Sequence, residues 1–467
     1  MPGSTRARLD PGALRAPGAI LLISCYELGH QPLGLAWPRA FLERAGFLPD
    51  TLDLSVEPFD DAKVRRARLA AISVPMHTAL RLGVRAAGAI RDLTPACHIA
   101  CHGLYAELNA DHLLGGHADF VLSGESEGAL VALAERLDRG ESPEPRQAPV
   151  LDRLAFPVPQ RDGLPALTRY AALAHDGRRR LAGYVEASRG CLHACLHCPI
   201  PPVYGGRFFA VPRDVVVEDV RRLVAAGAEH VTFGDPDFLN GPGHALKLVR
   251  AIHAEFPDLT YDCTAKIEHI VRHRGLLAEL AATGCVFMVS AVESLSNLVL
   301  AALEKGHTRT DVDSALAALR EAGIVLRPSL VPFTPWATIG DYLDLLDWVE
   351  REQLVDQVDP VQLSIRLLVP PGSLLLSRDA MRPFLAGLDP AGFTHRWIHP
   401  DARMDGLQRE VATLVERAAR SAEDAALTFA RIRALAHRRA GRRGSPPFRA
   451  PPPERPIPAR LTEPWFC

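Results

Sequence analysis

Residues 186–199 carry three closely spaced cysteines and read Glu186-Ala-Ser-Arg-Gly-Cys191-Leu-His-Ala-Cys195-Leu-His-Cys198-Pro199. Three thiolates at this spacing can hold three irons of a 4Fe–4S cluster, and the fourth iron is then left without a protein ligand. Such an open iron can bind a small molecule through its amino and carboxylate groups and pass it one electron. The preceding segment, Tyr184-Val-Glu-Ala-Ser188, has the pattern of a strand, so the cysteines are predicted on a loop that leaves a strand.

A structural zinc site is the alternative, because His193 and His197 lie inside the same run. Structural zinc sites usually take two ligand pairs separated by a dozen or more residues. No second pair follows, since Cys263 and Cys285 stand alone. The spacing therefore favours the iron–sulfur cluster.

Composition limits the class of protein. A chain of 467 residues is long enough for two or three domains, and its net charge of −2 gives no electrostatic argument for nucleic-acid or membrane partners. No apolar run has transmembrane length, and residues 1–18, predicted to be disordered, lack the apolar core of a signal peptide. Nine cysteines in this length do not suggest a disulfide framework. We therefore expect a soluble, cytoplasmic protein.

Residues 19–139 alternate between short apolar strands and amphipathic helices. The candidate strands are Ile20–Ser24, Thr51–Leu54, Leu69–Val74, His98–Cys101 and Phe120–Leu122. This α/β pattern predicts a Rossmann-like, doubly wound parallel sheet. Ligands of such sheets bind at the carboxyl ends of the strands.

Residues 181–376 contain six candidate strands, each followed by a helix or a loop. These strands are Tyr184–Ala187, His230–Phe233, Thr260–Thr264, Val286–Val292, Val325–Leu330 and Val361–Leu367. They predict a partial (β/α)6 barrel with its functional residues at the carboxyl ends of the strands. A linker at 140–180, a helical extension at 377–440 and a Pro/Arg-rich tail at 441–467 complete the predicted organisation.

The cysteine run resembles the cluster-binding motif of the radical S-adenosylmethionine (radical SAM) superfamily. The resemblance implies an enzyme whose 4Fe–4S cluster is bound by Cys191, Cys195 and Cys198, and which cleaves S-adenosylmethionine to a 5′-deoxyadenosyl radical. It also implies a small-molecule or peptide substrate and an electron donor such as flavodoxin or ferredoxin. In the family the residue before the third cysteine is most often aromatic, whereas here it is His197. The alternative from another class is a metal-binding regulatory or interaction module, with zinc or an iron–sulfur cluster and no turnover.

The end of the second barrel strand reads Gly234-Asp235-Pro236. In the family this position binds the amino group of the methionine moiety. Gly234 would let the backbone approach the cofactor closely, and Asp235 would accept a hydrogen bond from the ammonium. A cap on the next helix is the alternative for Asp235.

The ends of the next two strands carry the candidate catalytic residues, Lys266 and Glu293. Glu293-Ser294 resembles a family run whose glutamate points toward the ribose hydroxyls or the substrate, with a salt bridge to a neighbouring barrel arginine as the alternative. Lys266 is one of four lysines against 49 arginines. It is a candidate for neutralising a carboxylate of the cofactor or substrate, with an ion pair to Glu268 as the alternative.

The N-terminal region resembles the cobalamin-binding domain of one large radical SAM class. The turn Gly124-Glu125-Ser126-Glu127 is typical of that class, but its usual Asp-x-His-x-x-Gly signature is absent. His30 lies four residues before Gly34 without the aspartate that would orient it as a metal ligand. Cobalamin therefore stays open as a cofactor. If cobalamin is bound, methyl transfer to an unactivated carbon is the expected reaction. If cobalamin is not bound, the expected reaction is hydrogen abstraction followed by rearrangement or bond formation.

The chain closes with Leu461-Thr-Glu-Pro-Trp-Phe-Cys467 after a proline-rich arm. Both domains and this arm resemble a bacterial radical SAM (seleno)protein family with a CUAEP or CCAEP tail, in which selenocysteine replaces the second cysteine in some members. This resemblance predicts a UGA selenocysteine codon directly after Cys467, followed by Ala-Glu-Pro in frame. A UAA or UAG codon at that point of the gene would contradict the prediction.

Overall fold

The N-terminal unit of the computed structural model is a parallel sheet covered by helices on both faces. The model describes residues 8–442, 448, 452 and 455–463. The strands are β1 Ile20–Ser24, β2 Asp50–Asp53, β3 Leu69–Ser73, β4 His98–His102 and β5 Phe120–Leu122. The helices are α1 Leu33–Arg44, α2 Asp61–Arg66, α3 His77–Leu93, α4 Leu104–Leu108, α5 Ala110–Leu114 and α6 Ser126–Asp138. The strand order β2-β1-β3-β4-β5 confirms the predicted doubly wound topology and places a ligand crevice at the carboxyl ends of β1 and β3.

The segment before β1 differs from the prediction of a disordered N-terminus. Ala13–Arg15 form a short 3-10 helix, and Leu14 is fully buried. The Leu14 amide donates a hydrogen bond of 2.8 Å to Asp138 Oδ1 at the end of α6. This apolar contact and the buried hydrogen bond fix a segment that its Arg, Pro and Gly content alone suggests is unstructured.

The second unit is a curled sheet, the half-barrel typical of radical SAM folds. Its strands are β6 Ala172–His175, β7 Arg178–Val185, β10 His230–Phe233, β11 Thr260–Thr264, β12 Cys285–Glu293 and β13 Val325–Leu330. Between β7 and β10 the chain forms a separate two-stranded ribbon from β8 Ser188–Gly190 and β9 Phe208–Ala210. The helices are α7 Ile200–Tyr204, α8 Arg213–Ala225, α9 Pro242–Glu255, α10 Ile267–Arg272, α11 Leu277–Ala282, α12 Asn297–Ala302, α13 Arg309–Ala322 and α14 Ile339–Arg351. β7 and β10–β13 are parallel neighbours. Their carboxyl ends therefore meet at one rim.

Two boundaries of the predicted barrel are corrected. The sixth predicted strand, Val361–Leu367, instead starts with a 3-10 helix at Pro360–Ser364 and keeps a single bridge, between Phe333 and Arg366. Pro360 fixes φ at a helical value and has no N–H to give to a strand ladder. The barrel sheet also begins earlier than predicted, because β6 lies inside the predicted linker and pairs antiparallel with β7.

The C-terminal part consists of a hairpin, two helices and one further short strand. These elements are β14 Leu385–Asp389, β15 Thr394–Trp397, α15 Ala402–Arg420, α16 Ala425–Arg439 and β16 Arg460–Leu461. β16 pairs antiparallel with β6, so part of the predicted tail joins the barrel sheet. None of the described helices is both long and apolar enough to cross a membrane.

Candidate functional site

The three cysteines lie on the loop between β8 and α7, directly after the first parallel strand of the half-barrel. Gly190 has a φ of 72°, and a Cβ there would clash with the Arg207 carbonyl, so the turn into the loop requires glycine. The Leu196 amide donates to the Leu303 carbonyl at 3.1 Å, which ties the loop to the segment after α12. Cys191 and Cys198 pack against the apolar side chains of Ile200, Val203 and Tyr204.

The chemistry of these thiols fits a cluster. All three cysteines are free. Burial raises the pKa of Cys191 and raises that of Cys198 to about 12, while the nearby Lys305 ammonium acts in the opposite direction on Cys198. Buried thiols of this kind stay protonated by themselves, and metal coordination deprotonates them outright. The three thiols therefore match the ligand set of a 4Fe–4S cluster with one open iron.

Asp235 follows β10 and holds the strand that leads to the cysteine loop. It is 2% exposed. One carboxylate oxygen accepts from the Ala187 amide at 2.8 Å, and the other accepts from the Ser188 hydroxyl. Burial raises the pKa of Asp235 to about 7, against the effect of these hydrogen bonds. The helix cap considered for Asp235 is made instead by Asp237, which accepts from the Leu239 amide.

Gly234, Pro236 and Ser294 shape the same rim. A Cβ on Gly234 would clash with the Tyr184 ring and hydroxyl, so the two strands can approach only with glycine there. Pro236 lines the cavity between the two units. The Ser294 hydroxyl accepts from the Ser296 amide at 3.1 Å and so stabilises the turn after β12.

Glu293 forms a buried charge cluster with Lys305 and His197. Its Oε1 lies 3.2 Å from Lys305 Nζ and 3.1 Å from His197 Nε2. Burial disfavours the carboxylate, but Lys305 and His197 outweigh it and lower the pKa of Glu293 to about 2. The backbone of Glu293 has a φ of 62°, an uncommon value for a residue other than glycine. Glu293 therefore does form a salt bridge, but its partner is Lys305 and not the barrel arginine considered as the alternative.

Lys266 faces the cysteine loop. Its Nζ lies 2.9 Å from His193 Nδ1 and 3.3 Å from Glu268 Oε2. The side chain is 8% exposed. The structure thus places all the predicted site residues at the carboxyl rim of the half-barrel, and the ion pair to Glu268 is formed.

A cavity with a volume of about 250 Å³ lies between the two units. The N-terminal sheet contributes residues from the loops after β1, β3, β4 and β5, and the half-barrel contributes residues from the cysteine loop and the end of β10. These residues include Glu27, Gly34, Met76, Gly103, Ser126, Ser188 and Gly234. The cavity therefore lies where ligands of doubly wound sheets and of barrels both bind.

His30 does not face this cavity. Its ring stacks on Tyr184 with the centroids 4.5 Å apart, and both residues line a separate cavity of about 100 Å³ inside the half-barrel. Burial lowers the pKa of His30 to about 4, so the ring is neutral. In this arrangement His30 is not directed at a ligand of the N-terminal sheet.

Arg189, two residues before the first cysteine, joins the two units. Its guanidinium lies 2.7 Å from Glu127, 2.9 Å from Glu186 and 3.5 Å from Glu125. It also lies 4.4 Å from the centre of the Trp37 ring. Although Arg189 stands in the cysteine run, its partners Glu125 and Glu127 lie more than sixty residues earlier in the chain, so the local sequence carries no signal for these contacts.

In this structure a doubly wound sheet shares a crevice with a half-barrel, and the half-barrel carries three free cysteines at its rim. Residues 185–346 match the family model of the Radical SAM superfamily. The chain therefore carries a radical SAM domain, and the domain contains all of Cys191, Cys195 and Cys198.

Two curated relatives are similar over part of the chain. A hopanoid C-3 methylase from Methylococcus capsulatus is 25% identical over 327 residues, which cover 66% of this chain and 62% of the relative. The ribosomal protein uS12 methylthiotransferase RimO from Geotalea uraniireducens is 25% identical over 229 residues, covering 43% of this chain and 48% of the relative. The chain thus spans less than two thirds of the length of these relatives.

Two solved structures share the fold. The radical S-adenosylmethionine methyltransferase TsrM from Kitasatospora setae, with cobalamin and a [4Fe-4S] cluster bound, has a TM-score of 0.59 at 20% identity and covers 72% of this chain and 73% of its own. The cobalamin-dependent S-adenosylmethionine radical enzyme OxsB, with aqua-cobalamin and S-adenosylmethionine bound, has a TM-score of 0.67 at 14% identity, with coverages of 86% and 67%.

Proposed function

We propose that this protein is a radical SAM enzyme in which Cys191, Cys195 and Cys198 hold a 4Fe–4S cluster. The observation that carries the proposal is the position of three free thiols at the carboxyl rim of a half-barrel, beside buried carboxylates and a cavity. When bound, the cluster and S-adenosylmethionine supply a one-electron cleavage that yields a 5′-deoxyadenosyl radical.

The rim residues would bind and orient the S-adenosylmethionine. Gly234 leaves room for close approach, and Asp235 retains lone pairs for the ammonium group beside its two hydrogen bonds to Ala187 and Ser188. Glu293, kept ionised by Lys305, would accept from hydroxyl groups of the ribose or substrate. Lys266 would neutralise a carboxylate, since it is a buried cation at the same rim.

We further propose methyl transfer with cobalamin bound between the two units. The cavity at the carboxyl ends of β1, β3, β4 and β5 supports this, as does the shared fold with two cobalamin-dependent enzymes. Cobalamin when bound supplies a transferable methyl group. The chain would contribute the walls of the cavity, and His30 would take no part in holding the cobalt because it is stacked on Tyr184.

The electron donor proposed for this reaction is a flavodoxin or ferredoxin in the cytoplasm, where the thiols stay reduced. Flavodoxin with its reductase should replace dithionite in driving S-adenosylmethionine cleavage. Failure of both flavodoxin and ferredoxin, with dithionite active, would contradict this choice of donor.

Cys195→Ala tests the cluster directly. We expect the anaerobically reconstituted wild type to bind about four irons and to release 5′-deoxyadenosine with dithionite, and the variant to lose both properties. Its circular dichroism should match that of the wild type, because Cys195 itself is not part of the apolar core of the half-barrel, whereas its neighbour Leu196, which is, stays in place. Ser377→Ala, which changes an exposed hydroxyl far along the chain, is the control. A colourless wild type that keeps zinc and cleaves no S-adenosylmethionine would contradict the proposal.

Cobalamin binding is tested by the visible spectrum after gel filtration of protein mixed with aquacobalamin. We expect coelution with the wild type and loss of the cofactor from Met76→Trp, which fills the cavity from the loop after β3. His30→Ala should retain it. If a folded wild type retains none, the methyl-transfer proposal is wrong, and hydrogen abstraction becomes the expected reaction.

A further inference from the structure

We propose that His193, Asp237 and His269 form a second site, which binds a single divalent transition-metal ion beside the cysteine loop. One ligand atom from each residue lies within 4.8 Å of the other two. The site uses none of the three cysteines, so its test is independent of the proposed function.

Three separate segments bring these side chains together. His193 is on the cysteine loop, Asp237 follows the end of β10, and His269 is on α10, which follows β11. Asp237 is held in place because its Oδ1 accepts from the Leu239 amide at 3.0 Å. The other carboxylate oxygen, Oδ2, is therefore directed at the two histidines.

The distances match those of a small coordination sphere. Metal–ligand bonds of about 2.0–2.1 Å in a tetrahedral site put the ligand atoms about 3.3 Å apart. His193 Nε2 lies 3.3 Å from His269 Nε2 and 3.8 Å from Asp237 Oδ2. One ligand atom of each residue therefore lies within reach of a single ion, with His269 facing His193 through Nε2 and facing Asp237 Oδ2 through Nδ1, at 2.7 Å.

Burial gives independent support for an ion. Asp237 is 2% exposed and His269 is 5% exposed. Asp237 Oδ2 and His269 Nδ1 are 2.7 Å apart, yet neither atom has a hydrogen bond of good geometry among the described residues. A buried carboxylate oxygen without such a partner is costly, and a bound cation removes that cost.

Lys266 and Glu268 set the affinity of the site for the ion. A histidine that coordinates through Nε2 must carry its proton on Nδ1 and usually donates it to a carboxylate. Glu268 Oε2 lies 3.8 Å from His193 Nδ1, so it can take this role. Lys266 Nζ, at 2.9 Å from the same nitrogen, competes with it and repels a cation. Without metal, hydrogen bonds run from Lys266 to His193 and from His193 to His269, and the close contact of His269 with Asp237 completes the chain.

Nitrogen and carboxylate ligands suit Zn²⁺, Fe²⁺ and Co²⁺ rather than Mg²⁺ or Ca²⁺. The probe for the test is Co²⁺, because its visible spectrum reports the ligand type. The starting protein is the full chain with Cys191→Ser, Cys195→Ser and Cys198→Ser, which removes the cluster and its thiolates. We expect about one Co²⁺ per chain, with bands of nitrogen and oxygen ligation and no thiolate charge transfer.

Variants in this background test the ligands. Asp237→Asn and His269→Gln should each weaken Co²⁺ binding at least about tenfold. Lys266→Met should strengthen it, because the competing ammonium is removed. The matched control is His273→Gln. The ring of His273 lies 5.7 Å from that of His269, but His273 is not one of the three ligands. The affinity of this variant for Co²⁺ should therefore equal that of the starting protein.

The outcomes separate a metal site from a hydrogen-bonded chain. No saturable binding to a folded protein, or an affinity indifferent to Asp237→Asn and His269→Gln, would overturn the proposal. If circular dichroism shows that the cysteine-free chain is misfolded, elemental analysis of the cluster-loaded wild type decides. About one zinc per chain in addition to the irons, lost in Asp237→Asn, supports the site, and its absence rejects it.

Discussion

Gly234, at the predicted cofactor site, has no room for a side chain. A Cβ there would clash with the hydroxyl and ring of Tyr184. We expect Gly234→Ala to destabilise the fold by about 1–3 kcal/mol, because Tyr184 has to leave its stack on His30. Gly243→Ala is the control, since no atom lies within 4 Å of its Cβ. Urea unfolding of both variants measures the difference, and equal stabilities would contradict the clash.

Glu27 makes the stability dependent on pH. Burial, reinforced by Glu186, raises its pKa to about 8, although the Leu33 and Gly34 amides act in the opposite direction. A carboxyl group whose pKa is raised on folding contributes most below its unfolded pKa, and the contribution falls as the pH rises toward 8. The free energy of unfolding of Glu27→Gln relative to wild type should therefore increase by about 1.4 kcal/mol per pH unit between pH 5 and 8. A constant difference across urea titrations in this range would show that the carboxyl is already ionised at pH 5.

At the scale of single elements, β16 extends the half-barrel sheet by one edge strand. Leu461 and Ala459 pack with Leu173 of β6 and Phe287 of β12. Thr462 adds a hydrogen bond of 2.8 Å from its amide to the Ala172 carbonyl. The strand thus pairs with one edge of the sheet and covers side chains near the other edge.

Ending the chain at Pro458 should lower the melting temperature and increase the binding of a hydrophobic dye. The reason is that Leu173 and Phe287, at 0% and 1% exposure, become accessible to water. Arg460→Ala, which changes an exposed residue of β16, serves as the control and should behave like the wild type. Unchanged melting of the shortened chain would mean that β16 adds nothing to the sheet.

At the scale of the whole molecule, Arg189 connects the cysteine loop to the N-terminal unit. It pairs with Glu125 and Glu127 from that unit and with Glu186 from the half-barrel. Burial, together with Glu127, raises the pKa of Glu125 to about 7 despite the guanidinium. The positive charge of Arg189 therefore partly neutralises a group of buried carboxylates beside the cavity.

Arg189→Met should destabilise the protein by about 3–5 kcal/mol near neutral pH, because the carboxylates lose their counter-ion. The loss should shrink toward pH 5 as Glu125 and Glu127 take up protons. Arg221→Met is the control, since Arg221 forms an exposed pair with Glu255, and exposed ion pairs contribute little to stability. Thermal unfolding at several pH values compares them. A loss no larger than that of the control would mean that the units dock without Arg189.

The sequence by itself determined the elements whose signal is local. Five N-terminal strands and the first five barrel strands follow from short apolar runs bounded by turn residues, and the structure confirms that fold class. The cysteine run predicted the radical SAM domain through its resemblance to the family motif, and the family match over residues 185–346 confirms it. The sequence placed Gly234, Asp235, Lys266 and Glu293 at the ends of strands, and the structure brings these ends to one rim because the strands are parallel. Their roles at the site stay predictions. Cys467 lies outside the described residues.

Only the tertiary structure decided which side chains meet. Residues far apart in the chain meet in three places. These are the pairing of β16 with β6, the contact of Arg189 with Glu125 and Glu127, and the group of His193, Asp237 and His269. Local sequence carries no signal for such contacts, since they depend on how loops of separate strands converge. The sixth barrel strand was wrong for the same reason. An apolar run indicates that a segment is buried, but the tertiary fold determines whether that segment forms a strand or a 3-10 helix.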